Sequence, residues 1–353
     1  MAKSTPAKAP KSVIPQSKQV KSEEQLKFER DLKALAAKAK EQTTSRWAIN
    51  QAWIITQSAI LLCLAAVYAN VSRLTLSPVY GGIPSSIYHD KVVITAMFLG
   101  WSCNLYLKRY IPVNPKLLLP IVAAYIPAVQ FFLFKYSGTL GGKWGPVVTE
   151  AITLFPLLFL SVANTGTLLE DLDLKTGRRF AFLSDALPGI SSFIFFKSVE
   201  YLSDTFISRT IGQSLIQTRL GMQVVLQGLY TIFAPSRLLA LAIPGLLHTA
   251  IYNTHIQTPY HTNMLNATMA KSEWLLHERK ESITGYVAIA ENLDRGFRMM
   301  RCDHSLLGGE WQPSVTKSPK KETIYGIFVL LEAIRLIERP EPVADKDAKA
   351  LVV

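Results

Sequence analysis

Seven apolar blocks dominate this chain, and a polypeptide that carries them has few places to put them. They run over residues 54–71, 92–107, 117–134, 146–163 and 180–196, with two shorter ones at 220–233 and 238–251 separated by Pro235, Ser236 and Arg237. About 20 residues of helix span the roughly 30 Å of hydrocarbon in a bilayer, with about 17 as a lower limit. The first five blocks meet or nearly meet that length. The last two read as a pair of tight spans, one broken helix or a re-entrant pair, and the amphipathic stretch 203–219 either lies along an interface or completes one of them. The pattern predicts a mainly α fold, a polytopic membrane domain of about six to eight helices over residues 47–256, followed by a small β-hairpin-plus-helix subdomain. A hydrophobic fraction of 49% and a mean hydropathy of +0.20 fit that class.

Charge placement gives the expected orientation. The chain has a net charge of +12, and residues 1–46 hold eleven Lys or Arg against five Asp or Glu. A basic arm beside apolar blocks marks the cytosolic side of a membrane, with anionic lipid as a partner, and argues against nucleic acid. Residues 1–21 lack a periodic apolar face and read as disordered. Ser22, Glu23 and Glu24 open a basic amphipathic helix with an oxygen cap and first-turn acids. Lys108, Arg109 and Lys116, then Lys175, Arg178 and Arg179, return to the cytosolic side after two and four crossings. An even number of crossings places the C-terminal piece in the cytosol, and seven blocks conflict with that unless one fails to cross or one is missed. Cys63, Cys103 and Cys302 are scattered and read as reduced core residues. The polar N-terminus has no signal-peptide core.

Ionisable residues at membrane depth are functional candidates by default. Glu150, one turn into the fourth block, and Asp185, just before Pro188 and Gly189, are the intramembrane polar candidates, and Gln130 sits in the third block. A transporter uses such groups near broken helices. Both carboxylates also lie within about two turns, roughly 10 Å, of a block's start, where they cap helices or reach headgroups. His248 and His255 lie about 10 Å apart along a helix, too far for one zinc with ligands at about 2 Å, so no metal is assigned. Trp47, Trp53 and Trp144 suit interfacial anchoring.

Residues 257–280 read as a juxtamembrane linker with an amphipathic patch around Trp274, Leu275 and Leu276. Tyr286 to Ala290 and Phe297 to Cys302 then form two strand-like runs around Glu291-Asn292-Leu293-Asp294-Arg295-Gly296, a turn with Gly where a positive φ is favoured: a β-hairpin. Leu307-Gly308-Gly309 reads as the chain leaving the sheet edge. Residues 312–321 form a loop. Ser318 and Pro319 start a helix with an apolar face of Ile324, Phe328, Leu331 and Ile334, and residues 349–353 read as a buried strand.

The stretch 280–353 resembles the N-terminal β domain of the spermidine/spermine synthase family, in the fungal variant fused to a membrane region. The family's Ser-x-Tyr-Gln strand, returning Asp-Gly and Tyr-His-Glu helix start fall on Ser282-Ile283-Thr284-Gly285, Asp303-His304 and Tyr325-Gly326-Ile327. The resemblance implies substrate-binding roles for Tyr325, Asp303 and His304, while Gly285 and Gly326 stand where the family has the Gln and His that hold donor and acceptor. The family's Gly-rich nucleoside loop and catalytic acids lie beyond Val353, so residues 281–353 read as a partial, truncated domain. It is expected to hold no cofactor and no catalytic residue of its own, with an S-adenosylmethionine-type nucleoside joining the full-length form. The chain then reads as an integral membrane protein bearing an incomplete aminopropyltransferase- or methyltransferase-type domain, inactive as it stands. The alternative is a membrane transporter or scaffold that uses the helical domain.

Overall fold

The computed structural model describes residues 23–170, 172, 181–316 and 322–324. The arm at 1–21, expected to be disordered, Tyr325, the expected helix from Ser318 and the final strand lie outside the described residues. The chain divides into two compact units, residues 1–53 and 54–353. The first contributes the start of helix α1 (Glu23–Tyr80), exposed over 30–35 and 43–50. The expected cap at Ser22 lies outside the described residues.

The second unit carries the rest. Helices α2 (Gly82–Ser102), α3 (Asn104–Tyr110), α4 (Leu119–Phe134), α5 (Ser137–Ile152), α6 (Leu154–Glu170), α7 (Ala181–Thr210), α8 (Arg219–Phe233), α9 (Ile243–Tyr252) and α10 (Pro259–Met269) precede five strands. These are β1 (Trp274–Ser282), β2 (Gly285–Asn292), β3 (Phe297–Cys302), β4 (Ser305–Trp311) and β5 (Glu322–Thr323), an antiparallel meander in the order β1-β2-β3-β4-β5. The helical core gathers Leu61, Ala65 and Tyr68 of α1 with Val93 and Ala96 of α2, Ile126 of α4, Leu157 of α6, Phe196 of α7 and Tyr230 of α8.

The polytopic domain of six to eight spans is corrected here. Among the described residues only two helices are long and apolar enough to cross a membrane, Thr43–Tyr80 and Pro115–Phe134, or three if the bent pair α5–α6 is one span. The apolar blocks are interrupted where backbone geometry breaks them. The block 92–107 divides at Cys103 between α2 and α3. The block 146–163 bends by 41° at Thr153. The two last blocks give a 15-residue helix and a short 3-10 turn leading into the 10-residue α9. Apolar composition measures burial in something; it does not distinguish a bilayer from a packed helical core.

Two prolines show how the helices are tied together. Proline lacks the N–H that would bond the carbonyl four residues earlier. Pro127 thus frees the Ala123 carbonyl, which accepts from the Tyr68 hydroxyl at 3.4 Å. Pro78 frees the Leu74 carbonyl, and Arg219 Nε donates to it at 2.7 Å.

The β-hairpin is present as expected, with Val287–Asn292 paired to Cys302–Phe297 and Gly296 at φ 67 in the turn. Two expectations around it fail. Residues 257–280 are not a linker, because they supply α10 and β1. Leu307, Gly308 and Gly309 do not leave the sheet: all three lie in β4, where Gly308 and Gly309 pair with Met300 and Met299 and Leu307 falls at a register shift. A Cβ at residue 309 would lie 2.7 Å from the Arg298 carbonyl, so the glycine permits close packing of strand on strand.

Candidate functional site

The sheet turns one face towards a cavity of about 500 Å³ whose other walls are helical. Alternation along strands decides which sheet residues reach it. From β2 these are Tyr286, Ala288 and Ala290, from β3 Met299 and Arg301, with Asp303 in the turn beyond. From β1 they are Leu276, then Arg279 and Glu281, which change parity. The register shift between Leu276 and Glu278 explains the change, since a bulge adds a residue and re-aims every side chain after it. Asn266 of α10 holds that point, donating to the Leu276 carbonyl at 2.9 Å and accepting from its N–H at 2.8 Å.

The helical wall is partly polar because polar side chains of α4 and α8 face inwards. Gln130 of α4 accepts from Gln223 Nε2 of α8 at 2.8 Å, and both are buried. Arg219, one turn before Gln223, faces Glu281. The Arg219 main-chain N–H donates to Glu281 Oε2 at 2.7 Å, and its Nη1 lies 3.5 Å from the same oxygen. Burial pushes the Glu281 carboxyl up, against the opposing pull of Arg219. Arg279 is saturated by the carbonyls of Thr254 and Ile256 at 2.5 and 2.7 Å and by the Thr262 hydroxyl at 3.1 Å. It serves to tie α9 and α10 to the sheet. Burial raises the Tyr286 phenol.

Phe131, Phe134, His255, Trp274, Met269 and Met299 complete an apolar and aromatic wall. His255 is set among many protein atoms while part of its side chain stays accessible, and it lines the cavity. That depth, followed by the charge of Arg279, pushes its imidazole down to about 4, and it is neutral at pH 7.

Asp303 lies near the charges of Glu281 and Arg301, yet its carboxylate bonds uncharged groups. It sits at φ 47, and its carboxylate accepts from the Tyr286 N–H at 2.8 Å and the Ser77 hydroxyl at 3.3 Å. Among the described residues no lysine or arginine makes an ion pair with it, and it lines the cavity. The Arg301 guanidinium bonds the Asp303 carbonyl instead, at 2.6 Å.

The other expected site residues lie elsewhere. His304 is exposed and is not among the residues lining the cavity. Tyr325 and the Asp185 side chain lie outside the described residues. Glu150 is fully buried between helices, 2.6 Å from His89 Nδ1 and 3.3 Å from the Ser72 hydroxyl. His261 bonds the Thr258 side chain and the Ala250 carbonyl, and His248 packs against Phe131 and Phe132. The sequence pointed to Asp303 and noted Gln130. Arg219, Gln223 and Glu281 escaped notice because their partners come from other elements: Arg219 of α8 meets Glu281 of β1, and Gln223 meets Gln130 of α4.

Comparison with known proteins places the chain beside a methyltransferase. It is 39% identical over 300 residues to the N-terminal histidine N-methyltransferase of Emericella nidulans. The match covers 84% of this chain and 54% of that protein, so the chain spans about half the length of the curated relative it matches. A match that long takes in the middle of the chain, where most of the cavity lining lies. No family model matches, and no solved structure matches. The likeness overturns the assignment to the spermidine/spermine synthase family. That assignment rested on three short strings within 280–353, and the polyamine chemistry and the membrane-fusion label attached to it fall with it.

Proposed function

We propose that this chain contributes the acceptor-binding part of an N-methyltransferase, and that its cavity receives the free amino end of a polypeptide beginning with histidine. The relative's name supports the reaction class, and the Asp303 carboxylate carries the reading for this site. It is pinned by a backbone N–H and a serine hydroxyl, lacks a cationic partner among the described residues, and faces a cavity walled by aromatic rings. A protonated α-amine supplies the missing charge, and hydrogen bonds to charged groups are the stronger class.

The methyl group of such a reaction comes from an S-adenosylmethionine-type donor. The described residues do not fit one. A nucleoside in a doubly wound fold rests on a Gly-rich turn leading from a parallel strand into a helix. All five described strands are antiparallel and follow one another through turns or short connections. No transfer step is therefore derived; what these residues do is bind and orient. Glu281, held by Arg219 at the cavity wall, shapes the same end of the cavity without offering a free charge.

A bilayer remains the proposed partner and location, with the N-terminus on the cytosolic side and the basic arm on anionic lipid. Thr43–Tyr80 and Pro115–Phe134 support it by length and composition.

Binding tests the reading directly. Titration calorimetry on the full chain should show a histidine-first peptide binding at least about tenfold more tightly than its N-acetylated form, the weight of one charge-assisted hydrogen bond. Asp303→Asn should remove the difference. Equal binding of the two peptides by the unaltered protein overturns the proposal.

A further inference from the structure

The polar end of the cavity holds hydrogen-bonding groups that no protein partner satisfies. Gln223 Nε2 donates to Gln130 Oε1, which leaves Gln130 Nε2 as an unused donor and Gln223 Oε1 as an unused acceptor. Gln130 is 1% exposed and Gln223 0%, and both line the cavity. Buried polar atoms are paired in the great majority of cases, and each exception costs the desolvation of that group. Two orphans on adjoining side chains of α4 and α8 point to a ligand that brings one acceptor and one donor.

The ligand group must present one acceptor and one donor to this pair. A carboxylate satisfies the donor and leaves the Gln223 oxygen unpaired; an ammonium does the reverse. A neutral imidazole has one N–H and one bare nitrogen in a single ring, and it matches both. The surroundings suit a flat ring, because Phe131 is the next residue after Gln130, and Phe134 and His255 stand edge-on to one another beside it. They also disfavour a charged ring, because Arg219 sits one turn before Gln223 on the same helix. Thr75 of α1 accepts from Gln223 Nε2 at 3.4 Å, and Ser77, two residues on, donates to the Asp303 carboxylate at 3.3 Å, so the glutamine pair and the amine site both border the same short segment of α1.

We infer that Gln130 and Gln223 form the specificity pair of the cavity, reading the neutral imidazole of the acceptor's first residue. This rests on the acceptor reading above. The pair binds and orients the ring, and it is distinct from Asp303, which takes the amine.

The experiment compares three peptides differing only at their first residue, histidine, thienylalanine and alanine, titrated against the unaltered full chain. Thienylalanine keeps the five-membered aromatic ring and lacks both nitrogens. Its peptide should bind at least about tenfold more weakly than the histidine peptide, the effect of leaving two buried groups unpaired. Histidine affinity should also rise with pH through about 6.5, where free imidazole loses its proton, while thienylalanine affinity shows no such step. In Gln223→Met the histidine advantage should fall to within about twofold, with thienylalanine binding retained as proof of folding. Thienylalanine binding within twofold of histidine in the unaltered protein overturns the specificity pair and leaves the amine site standing. Failure of all three peptides to bind overturns both readings.

Discussion

Replacing Arg219 by methionine tests how the helices and the sheet are joined. The guanidinium lies between the Leu74 carbonyl freed by Pro78 and the Glu281 carboxylate, with 2.7 Å and 3.5 Å contacts. Methionine keeps the volume and removes both. Breaking one side of a buried ion pair costs about 3–5 kcal/mol, and an orphaned carbonyl adds about 1–3 kcal/mol. Two features reduce the total. The residue-219 N–H still donates to Glu281, and the carboxyl can take a proton, since burial already raises it. The expected loss is about 3–4 kcal/mol at pH 7.5. Its pH dependence is the sharper signature. Without Arg219 the folded-state pKa of Glu281 rises further above the unfolded value, so the folded form binds the extra proton and the penalty shrinks as pH falls towards 5. Urea unfolding followed by tryptophan fluorescence at pH 5 and 7.5 reads both quantities. A loss below about 1 kcal/mol, or one that is the same at both pH values, refutes the account of Arg219 as the buried tie between α8 and β1.

The remaining predictions concern the same frame. Because the Glu281 pKa is raised on folding, its contribution to stability is fully present below about 4.5 and lost as pH rises through the folded value; Glu281→Gln should flatten that slope in a pH series. His255 has the opposite sign: lowered to about 4, it costs stability as pH falls from about 6.5, and His255→Gln should remove that acid-side loss. Asn266→Leu leaves the N–H and carbonyl of Leu276 unpaired, so about 1–3 kcal/mol of stability should go, and with the bulge released, hydrogen exchange should rise in β1. A Cβ at residue 285 would lie 2.7 Å from Asp303 Oδ2, and the backbone there is at φ 142. Gly285→Ala should therefore weaken histidine-first peptide binding by displacing that carboxylate, and unchanged affinity in the titration would count against the Asp303 site. Flotation with anionic liposomes should carry the full chain with the lipid; recovery in the lipid-free fraction removes the bilayer as a partner.

Much of the site could not be read from the chain because its parity is not local. The period of two in Tyr286, Ala288 and Ala290 is visible in the sequence, and it places those residues on one face. The same rule applied to β1 puts Leu276 on the face opposite Arg279 and Glu281. The bulge reverses that, and the bulge exists because a side chain from α10, ten residues earlier, pairs with the Leu276 backbone. The apolar blocks misled in a related way. Their length announced helices that must be buried, but the breaks at Cys103 and Thr153 do not follow from apolar composition, and a break decides whether a block can be one span.

The sequence by itself determined the elements whose causes are local. These include the hairpin around Gly296 and the presence of Asp303 in a turn, since positive φ and strand alternation act within a few residues. Only the tertiary structure decided that Leu74, Arg219 and Glu281 meet, that Gln130 and Gln223 bond and leave two atoms without partners, and that these groups surround one cavity. Those contacts join residues 62 to 145 positions apart, and buried hydrogen-bonding groups find their partners through helix packing, which no stretch of neighbouring residues encodes.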